Sequence, residues 1–437
     1  MLPSLLLMFN LFGEPELLQM KPMNLADAIG LAELQDTPWM TLLGETDAGA
    51  EAIVRQYLSQ LAAQGLNVNE QSVWLQAGPV LLVNHQGQTP LSAASLTKVA
   101  TSLAALQTWG PDHQFDTLIG ATSPVQDGVL QGDLIVQGTG DPLFVWEEAI
   151  AVGNALNRMG IRQVTGDLVL TSNFFMNFEF NPMKSGAMLK QALNSQQWQA
   201  AVTEQYASMK PQPARPQLVV NGNVRYSEQP VPMRTLLRHK SLPMIHLVKK
   251  LNVYSNNVMS EALSRLMGGA QVTAERAAAA SGAPLQELLL ANGSGLGVEN
   301  RLSSYAVTQM LGALARFAHS RQMTIADLFP ISGTDVGTLI DRDIPRNAVV
   351  KTGTLNEVSA LAGVLPTRDR GLIWFSIINR GTNIEGLRAQ QDVLLHQLQT
   401  HWGKPEQRAS AITPSPWINN PNTLIGAEGR NEVVSGG

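Results

Sequence analysis

Ser92-Ala-Ala-Ser95-Leu-Thr-Lys98-Val-Ala-Thr-Ser102 is the most informative stretch of the chain. Lys98 is the one charged residue between His85 and Asp112, within a run that predicts a helix stopping at Gly110-Pro111. An ammonium in so apolar a helix is expensive to bury. Residues three apart on a helix share a face, so Lys98 reaches the Ser95 hydroxyl. Desolvation lowers a lysine pKa towards values at which the neutral amine accepts a proton. A serine beside such an amine is an activated nucleophile. Taken alone, a Ser-x-x-Lys match is expected about once by accident in a chain this long, and most such lysines extend their ammonium to water.

Two further motifs follow in order. Tyr254-Ser255-Asn256-Asn257 lies between two segments of helical pattern, Met244–Leu251 and Val258–Leu266. Ser and Asn at such a junction ordinarily cap a helix, but a hydroxyl and an amide together can also relay a proton and hold a substrate carbonyl. Lys351-Thr352-Gly353-Thr354 ends the β-type run Asn347–Val350. A strand that sets Lys and Thr beside a small Gly presents ammonium, hydroxyl and backbone N–H groups to an extended peptide. Alone it reads as an edge strand ending at a turn.

Together, Ser95-x-x-Lys98, Ser255-x-Asn257 and Lys351-Thr352-Gly353 resemble the signature of the penicillin-binding proteins and serine β-lactamases. Closer likeness is to the D-alanyl-D-alanine carboxypeptidase and endopeptidase family of penicillin-binding protein 4 (DacB-type, peptidase S13). It is carried by Gly132-Asp-Leu-Ile-Val-Gln-Gly-Thr-Gly-Asp-Pro142, Gly160-Ile-Arg-Gln-Val-Thr-Gly-Asp-Leu-Val-Leu170, Asn292-Gly-Ser-Gly-Leu296 and Gly337-Thr-Leu-Ile-Asp-Arg342. The resemblance covers roughly residues 50 to 400, with a weaker patch between about 175 and 235. It implies an α/β protein of the penicillin-binding/serine β-lactamase-like fold, an antiparallel sheet flanked by helices, with an inserted mainly β domain. It implies a Ser95 acyl-enzyme on peptidoglycan peptides ending in D-Ala-D-Ala, with Lys98 as base and β-lactams as covalent inhibitors. The backbone N–H groups of Ser95 and Thr354 take the oxyanion-hole positions. Ser255 passes a proton to the leaving nitrogen, Asn257 holds the substrate backbone, and Lys351 with Thr352 binds the terminal carboxylate. Gly353 completes the substrate-binding strand. No cofactor is implied, and the location implied is the periplasm or cell envelope.

Composition agrees with a globular protein of more than one domain: 437 residues, 44% hydrophobic and 15% charged. A net charge of −5 gives no basic footprint for nucleic acid. With no Cys there is no disulfide framework or thiolate nucleophile, and the seven His lack metal-ligand spacing. Met1–Gly13 is apolar, but it lacks a basic n-region and a small-residue cleavage site. Residues 1–47 therefore read as a leader or extension with a weak export signal.

A helix is expected over Ala48–Gln64, strands over Gln71–Gln76 and Pro79–Asn84, and then the Ser95 helix. Residues 116–235 read as the insert, with two Gly-Asp-Leu segments as a short internal echo and not a solenoid array, and a helical stretch near Met188–Met209. An antiparallel meander follows over Ala348–Thr354, Ser359–Leu365 and Gly371–Asn379, then a helix over Gly386–Trp402. The expectation is one sheet assembled from both ends of a domain made of 48–115 and 236–402. Residues 403–437, rich in Pro, Asn, Gly and Ser, read as a disordered tail.

Competing readings are a β-lactamase-like hydrolase and a non-catalytic peptidoglycan-binding protein of the same fold. No Glu-x-x-Leu-Asn segment is present to supply a fast deacylation base, and the complete set of motif residues argues against a decayed site. Gly-x-Ser-x-Gly is absent, and Gly293-Ser-Gly-Leu-Gly297 fails the dinucleotide fingerprint at Val298. One departure from the family concerns substrate choice. Related enzymes place an Arg for the diaminopimelate carboxylate where Val298 stands, and Thr171 occupies a neighbouring acidic position, which leaves Arg301 as a candidate substitute.

Overall fold

The computed structural model describes residues 46–416 and 420–434; the expected leader through residue 45 lies outside them. In chain order, α1 (Ala48–Ala63), the hairpin β1 (Gln71–Ala77) and β2 (Val80–His85), and α2 (Thr97–Trp109) come first. The middle holds β3 (Asp116–Ala121), β4 (Leu134–Thr139), α3 (Trp146–Arg158), β5 (Leu168–Asn173), α4 (Pro182–Ala192), α5 (Ala200–Ser208), β6 (Val224–Ser227) and β7 (Arg234–Lys240). Then come α6 (Met244–Tyr254), α7 (Asn257–Met267), α8 (Ala270–Ser281), α9 (Ser304–His319), β8 (Val349–Leu355), β9 (Val358–Pro366), β10 (Leu372–Arg380), α10 (Ile384–His401) and β11 (Asn431–Val433).

The two ends of the expected catalytic domain do meet in one sheet. Its order is β8-β9-β10-β1-β2, antiparallel throughout, with Gln71 opposite Asn379. All nine positions of β9 are buried, because helices cover both faces. Side chains alternate across a strand. Val350, Leu361, Phe375 and Ile377 therefore pack with Tyr57, Leu61, Leu394 and Leu398 of α1 and α10. Their neighbours Val349, Ala360, Ala362 and Ile378 join the core around α2, α6 and α9. Helix α2 runs through that second core. Its first ten residues, Thr97–Leu106, are all buried, so no polar stripe marks its sequence. Gly110, at φ +80°, ends it.

The two Gly-Asp-Leu segments turn out to be spatial neighbours, and a third copy, Gly222-Asn223-Val224, lies beside them. Strands β4, β5 and β6 are parallel and in register, Leu134 beside Leu168 and Leu168 beside Val224. Asp133 Oδ1 accepts the Asp167 N–H at 2.7 Å, and Asp167 Oδ1 accepts the Asn223 N–H at 2.7 Å. A Cβ at Gly166 would stand 2.6 Å from the Gly132 carbonyl, and one at Gly222 would stand 2.3 Å from that of Gly166. The stack has three rungs spaced 34 and 56 residues apart, which is why no fixed period shows in the sequence. These strands belong to a six-stranded sheet, β6-β5-β4-β3-β7-β11, with its own core around Ile119, Val136, Leu156, Leu170 and Leu237. The helical stretch expected at Met188–Met209 is two helices, α4 and α5, separated by a turn in which Asn194 caps the Gln196 N–H.

The expectation of a disordered tail from residue 403 needs correction for 403–416 and 420–434. Ser415 donates its hydroxyl to Asp327, and its backbone N–H bonds the same carboxylate. Arg430 is buried against Glu148 and donates to the Lys240 carbonyl. Strand β11 pairs with β7. Composition reports the lack of an apolar run but not anchorage by a few buried polar side chains and an edge-strand ladder.

Candidate active site

Ser95 lies in a 3₁₀ turn, Ala94–Leu96, at the mouth of α2, and Ala94 before it is held at φ +48°. Left-handed backbone at a residue with a side chain is strained and tends to persist at functional sites. One turn on, Lys98 is fully buried. Its Nζ lies 2.8 Å from Ser95 Oγ, 2.7 Å from Asn257 Oδ1 and 2.6 Å from the Ser294 carbonyl. Burial pushes the Lys98 pKa down to about 7, and the nearby Glu261 carboxylate opposes that shift.

The α6–α7 junction divides its labour. Asn256 is the cap, accepting the Met259 N–H, which frees its neighbours for the cleft. Ser255 sits at φ +50°, and Lys351 Nζ donates to its hydroxyl at 2.8 Å. Asn257 opens α7 and meets Lys98. On β8, Lys351 is fully buried and also donates to the Thr352 carbonyl. Burial, reinforced by repulsion from Lys98, holds its pKa well below the ordinary lysine value. Thr352 donates its hydroxyl to Thr338 Oγ1 at 2.9 Å. A Cβ at Gly353 would stand 2.8 Å from the Ala93 carbonyl and 3.1 Å from the Ser95 nitrogen. Glycine is what lets the strand pass so close to the serine turn, with Thr354 next along it.

All eight residues singled out from the sequence thus converge: Ser95, Lys98, Ser255, Asn257, Lys351, Thr352, Gly353 and Thr354. Ser95, Ser255, Asn257, Thr352 and Thr354 border an open cleft of about 340 Å³, whose other walls are the 337–342 segment and Arg388 of α10, while Lys98 and Lys351 are buried behind it. Several contributors were not singled out. Glu261 stands four residues after Asn257, a spacing that puts both on one helix face, and its Oε1 accepts the Ser294 N–H. Gly295, at φ +82°, would carry a Cβ 1.9 Å from the Ala94 carbonyl, so the Asn292–Leu296 turn is seated against the Ser95 turn. Arg342, on the 337–342 segment, makes a bidentate pair with Asp392 of α10. Arg388 donates to Thr354 Oγ1 at 2.9 Å. Val298 is exposed and Thr171 is buried within β5, and neither lines this cleft. Arg301 pairs with Ser92 in a short ladder and also stands off it. Among the described residues no cluster of His, Asp or Glu is arranged to hold a metal ion.

The Ser95 turn, a buried lysine pair and the edge strand β8 of one antiparallel sheet thus meet at a single cleft. The sequence matches the D-Ala-D-Ala carboxypeptidase 3 (S13) family over residues 75–216 and 183–400, and the chain belongs to that family. It is 23% identical to the D-alanyl-D-alanine carboxypeptidase DacB of Haemophilus influenzae, covering 67% of this chain and 80% of that one. It is 25% identical to a D-alanyl-D-alanine carboxypeptidase of Actinomadura, covering 77% and 82%. The fold is similar to that of a predatory peptidoglycan endopeptidase from Bdellovibrio bacteriovorus (TM-score 0.65, 20% identity, 80% of this chain and 97% of that one). It is also similar to penicillin-binding protein 4 of H. influenzae (TM-score 0.60, 19% identity, 79% and 98%). No described helix is long and apolar enough to cross a membrane.

Proposed function

We propose that the protein is a serine D-alanyl-D-alanine carboxypeptidase acting on peptidoglycan peptides at the cell envelope, in the periplasm where that compartment exists. The observation that carries the reading is Lys98 Nζ, 2.8 Å from Ser95 Oγ in a buried setting that brings its pKa to about 7. Neutral Lys98 takes the Ser95 proton as Oγ attacks the carbonyl of the penultimate D-Ala. The oxyanion forms against the backbone N–H groups of Ser95 and Thr354, where loss of such a donor typically costs about 3 kcal/mol. Collapse breaks the peptide bond, and the departing D-Ala nitrogen receives a proton through Ser255, hydrogen-bonded to Lys351. Water then attacks the ester, Ser95 recovers its proton, and the shortened peptide leaves. Asn257 holds the substrate backbone, and Thr352 and Gly353 form the strand along which the peptide lies.

Residues 48–115 with 236–402 form the catalytic domain in this reading, and 116–235 the inserted one. Cross-linked peptides present the same D-Ala carbonyl, so endopeptidase action is a second outcome of the same chemistry. A β-lactamase is disfavoured because the sequence offers no class A type deacylation base. A non-catalytic envelope protein is disfavoured because the site is complete. A fluorescent penicillin is expected to label the wild-type chain covalently and to leave Ser95→Ala unlabelled. An unlabelled wild type, under conditions that label a known carboxypeptidase, overturns the enzymatic reading.

A further inference from the structure

The cleft's walls are polar with one exception. Among the described residues its lining is Ser, Thr, Asn, Asp, Arg and Gly, apart from Ile340, which is 74% accessible. No other large apolar side chain among the described residues is as exposed. The segment that carries it is not free to fold it away. Leu339, just before it in a 3₁₀ turn, is buried in the core shared with α1 and α10. Thr338 accepts the Thr352 hydroxyl at 2.9 Å, and Arg342 is paired with Asp392. A Cβ at Gly337 would stand 2.4 Å from the Val253 carbonyl, so the start of the segment is pressed against the end of α6. An apolar side chain held in water on so fixed a wall gains free energy only when another apolar group covers it.

The same anchors fix the side of the cleft on which Ile340 stands. Gly337 abuts Val253, two residues before Ser255. Thr338 bonds Thr352, whose neighbour Lys351 donates to the Ser255 hydroxyl. The wall is thus built onto the elements that hold Ser255. In the proposed mechanism that hydroxyl protonates the departing nitrogen, so the wall beside it flanks the residue that departs.

We propose that Ile340 is a specificity residue for the departing side, where it packs on an apolar side chain of the terminal D-residue. The cleft then takes peptides ending in a larger apolar D-amino acid, such as D-Leu, in addition to those ending in D-Ala. This rests on the peptidase reading, with Ser255 as proton donor, and extends it to a class of terminal residue. D-Ala offers the wall a single methyl group, and D-Leu adds an isopropyl group to it.

The test compares kcat/KM for N-acetylated L-Lys-D-Ala-D-Leu with that for N-acetylated L-Lys-D-Ala-D-Ala. Wild type, Ile340→Val and Ile340→Ser are measured as full chains; the side chain is exposed, so neither change empties the core. Partial cover of one apolar side chain corresponds to about three- to tenfold. Wild type is expected to cleave the D-Leu peptide at least as efficiently as the D-Ala peptide. The D-Leu to D-Ala ratio should fall by that factor in I340S and by less in I340V. An unchanged ratio in I340S overturns the proposal, and so does an equal loss on both peptides, the mark of a merely structural side chain. A second pair varies the acyl side alone: acylation by benzylpenicillin against aminopenicillanic acid, which lacks the phenylacetyl group. That ratio should be the same in all three proteins, and a change in it places Ile340 on the acyl side and overturns the proposal. Penicillin labelling of the wild type, run in parallel, separates the two failures. A labelled chain that cleaves the D-Ala peptide and rejects the D-Leu peptide sinks this inference alone, whereas an unlabelled chain sinks the enzymatic reading and this inference with it.

Discussion

In the proposed mechanism the proton on Lys98 sets the pH at which Ser95 is acylated, and Glu261 is the handle on it. With a pKa of about 7, the neutral amine is about 9% of the population at pH 6, about 50% at pH 7 and about 91% at pH 8. The second-order rate of acylation by a fluorescent penicillin should therefore rise about tenfold from pH 6 to pH 8 and flatten above that. Burial lowers this pKa because it disfavours the ammonium, and the Glu261 carboxylate works against burial. Glu261→Gln keeps an acceptor for the Ser294 N–H and removes the charge. It should move the acid limb to lower pH, making the variant faster than wild type at pH 6 and equal to it at pH 8. The sign is fixed, since a neighbouring anion can only favour the protonated amine. Rates followed by gel fluorescence over pH 5.5 to 9 decide it. An acid limb that stays in place or moves up in the Gln variant would refute the assignment of Lys98 as the titrating base.

Lys98→Arg should abolish labelling at every pH below about 10, because a guanidinium does not give up its proton. Gly295→Ala should lower acylation sharply and also lower the melting temperature, since the new Cβ meets the Ala94 carbonyl; an unchanged acylation rate would show that the turn yields freely. Thr338→Val removes the acceptor of the Thr352 hydroxyl, and a two- to tenfold loss in kcat/KM is expected, with penicillin labelling retained. Asp392→Ala strands the buried Arg342 and should cost about 3 to 5 kcal/mol of stability in urea titrations. A loss below about 1 kcal/mol would mean the pair is hydrated.

The site was legible because its chemistry depends on contrasts that survive in one dimension. A single cation in an apolar helix needs no fold to be noticed, and its three-residue spacing from Ser95 already implies contact. The meander and its covering helix were legible for a similar reason: turns punctuate β8, β9 and β10, and observed boundaries differ from the expected ones by one or two residues. The outer ring of the site was not. Thr338 and Arg388 reach the cleft from segments 14 and 34 residues away from the strand residues they bond, and nothing local distinguishes them from surface polar residues. The third rung at Gly222 is hidden in the sequence because Asn and Val replace the Asp and Leu of the other two.

Strand β11 has a consequence for how the chain is made. His239 on β7 bonds Asn431 across 192 residues of sequence, and Arg430 beside it is the cation for the buried Glu148. During synthesis every other strand of the six-stranded sheet is available nearly two hundred residues before this one. Through that interval the outer side of β7 is an open row of amides and carbonyls, which is the kind of surface that recruits a stray strand from another molecule. Glu148 meanwhile waits without its partner. Completion of the six-stranded sheet is thus deferred until the five-stranded sheet has been made, and a polypeptide stopped after α10 would carry every residue of the cleft yet expose an adhesive edge. Fusions that crowd residues 420–434 are expected to cause the same trouble in a chain of full length.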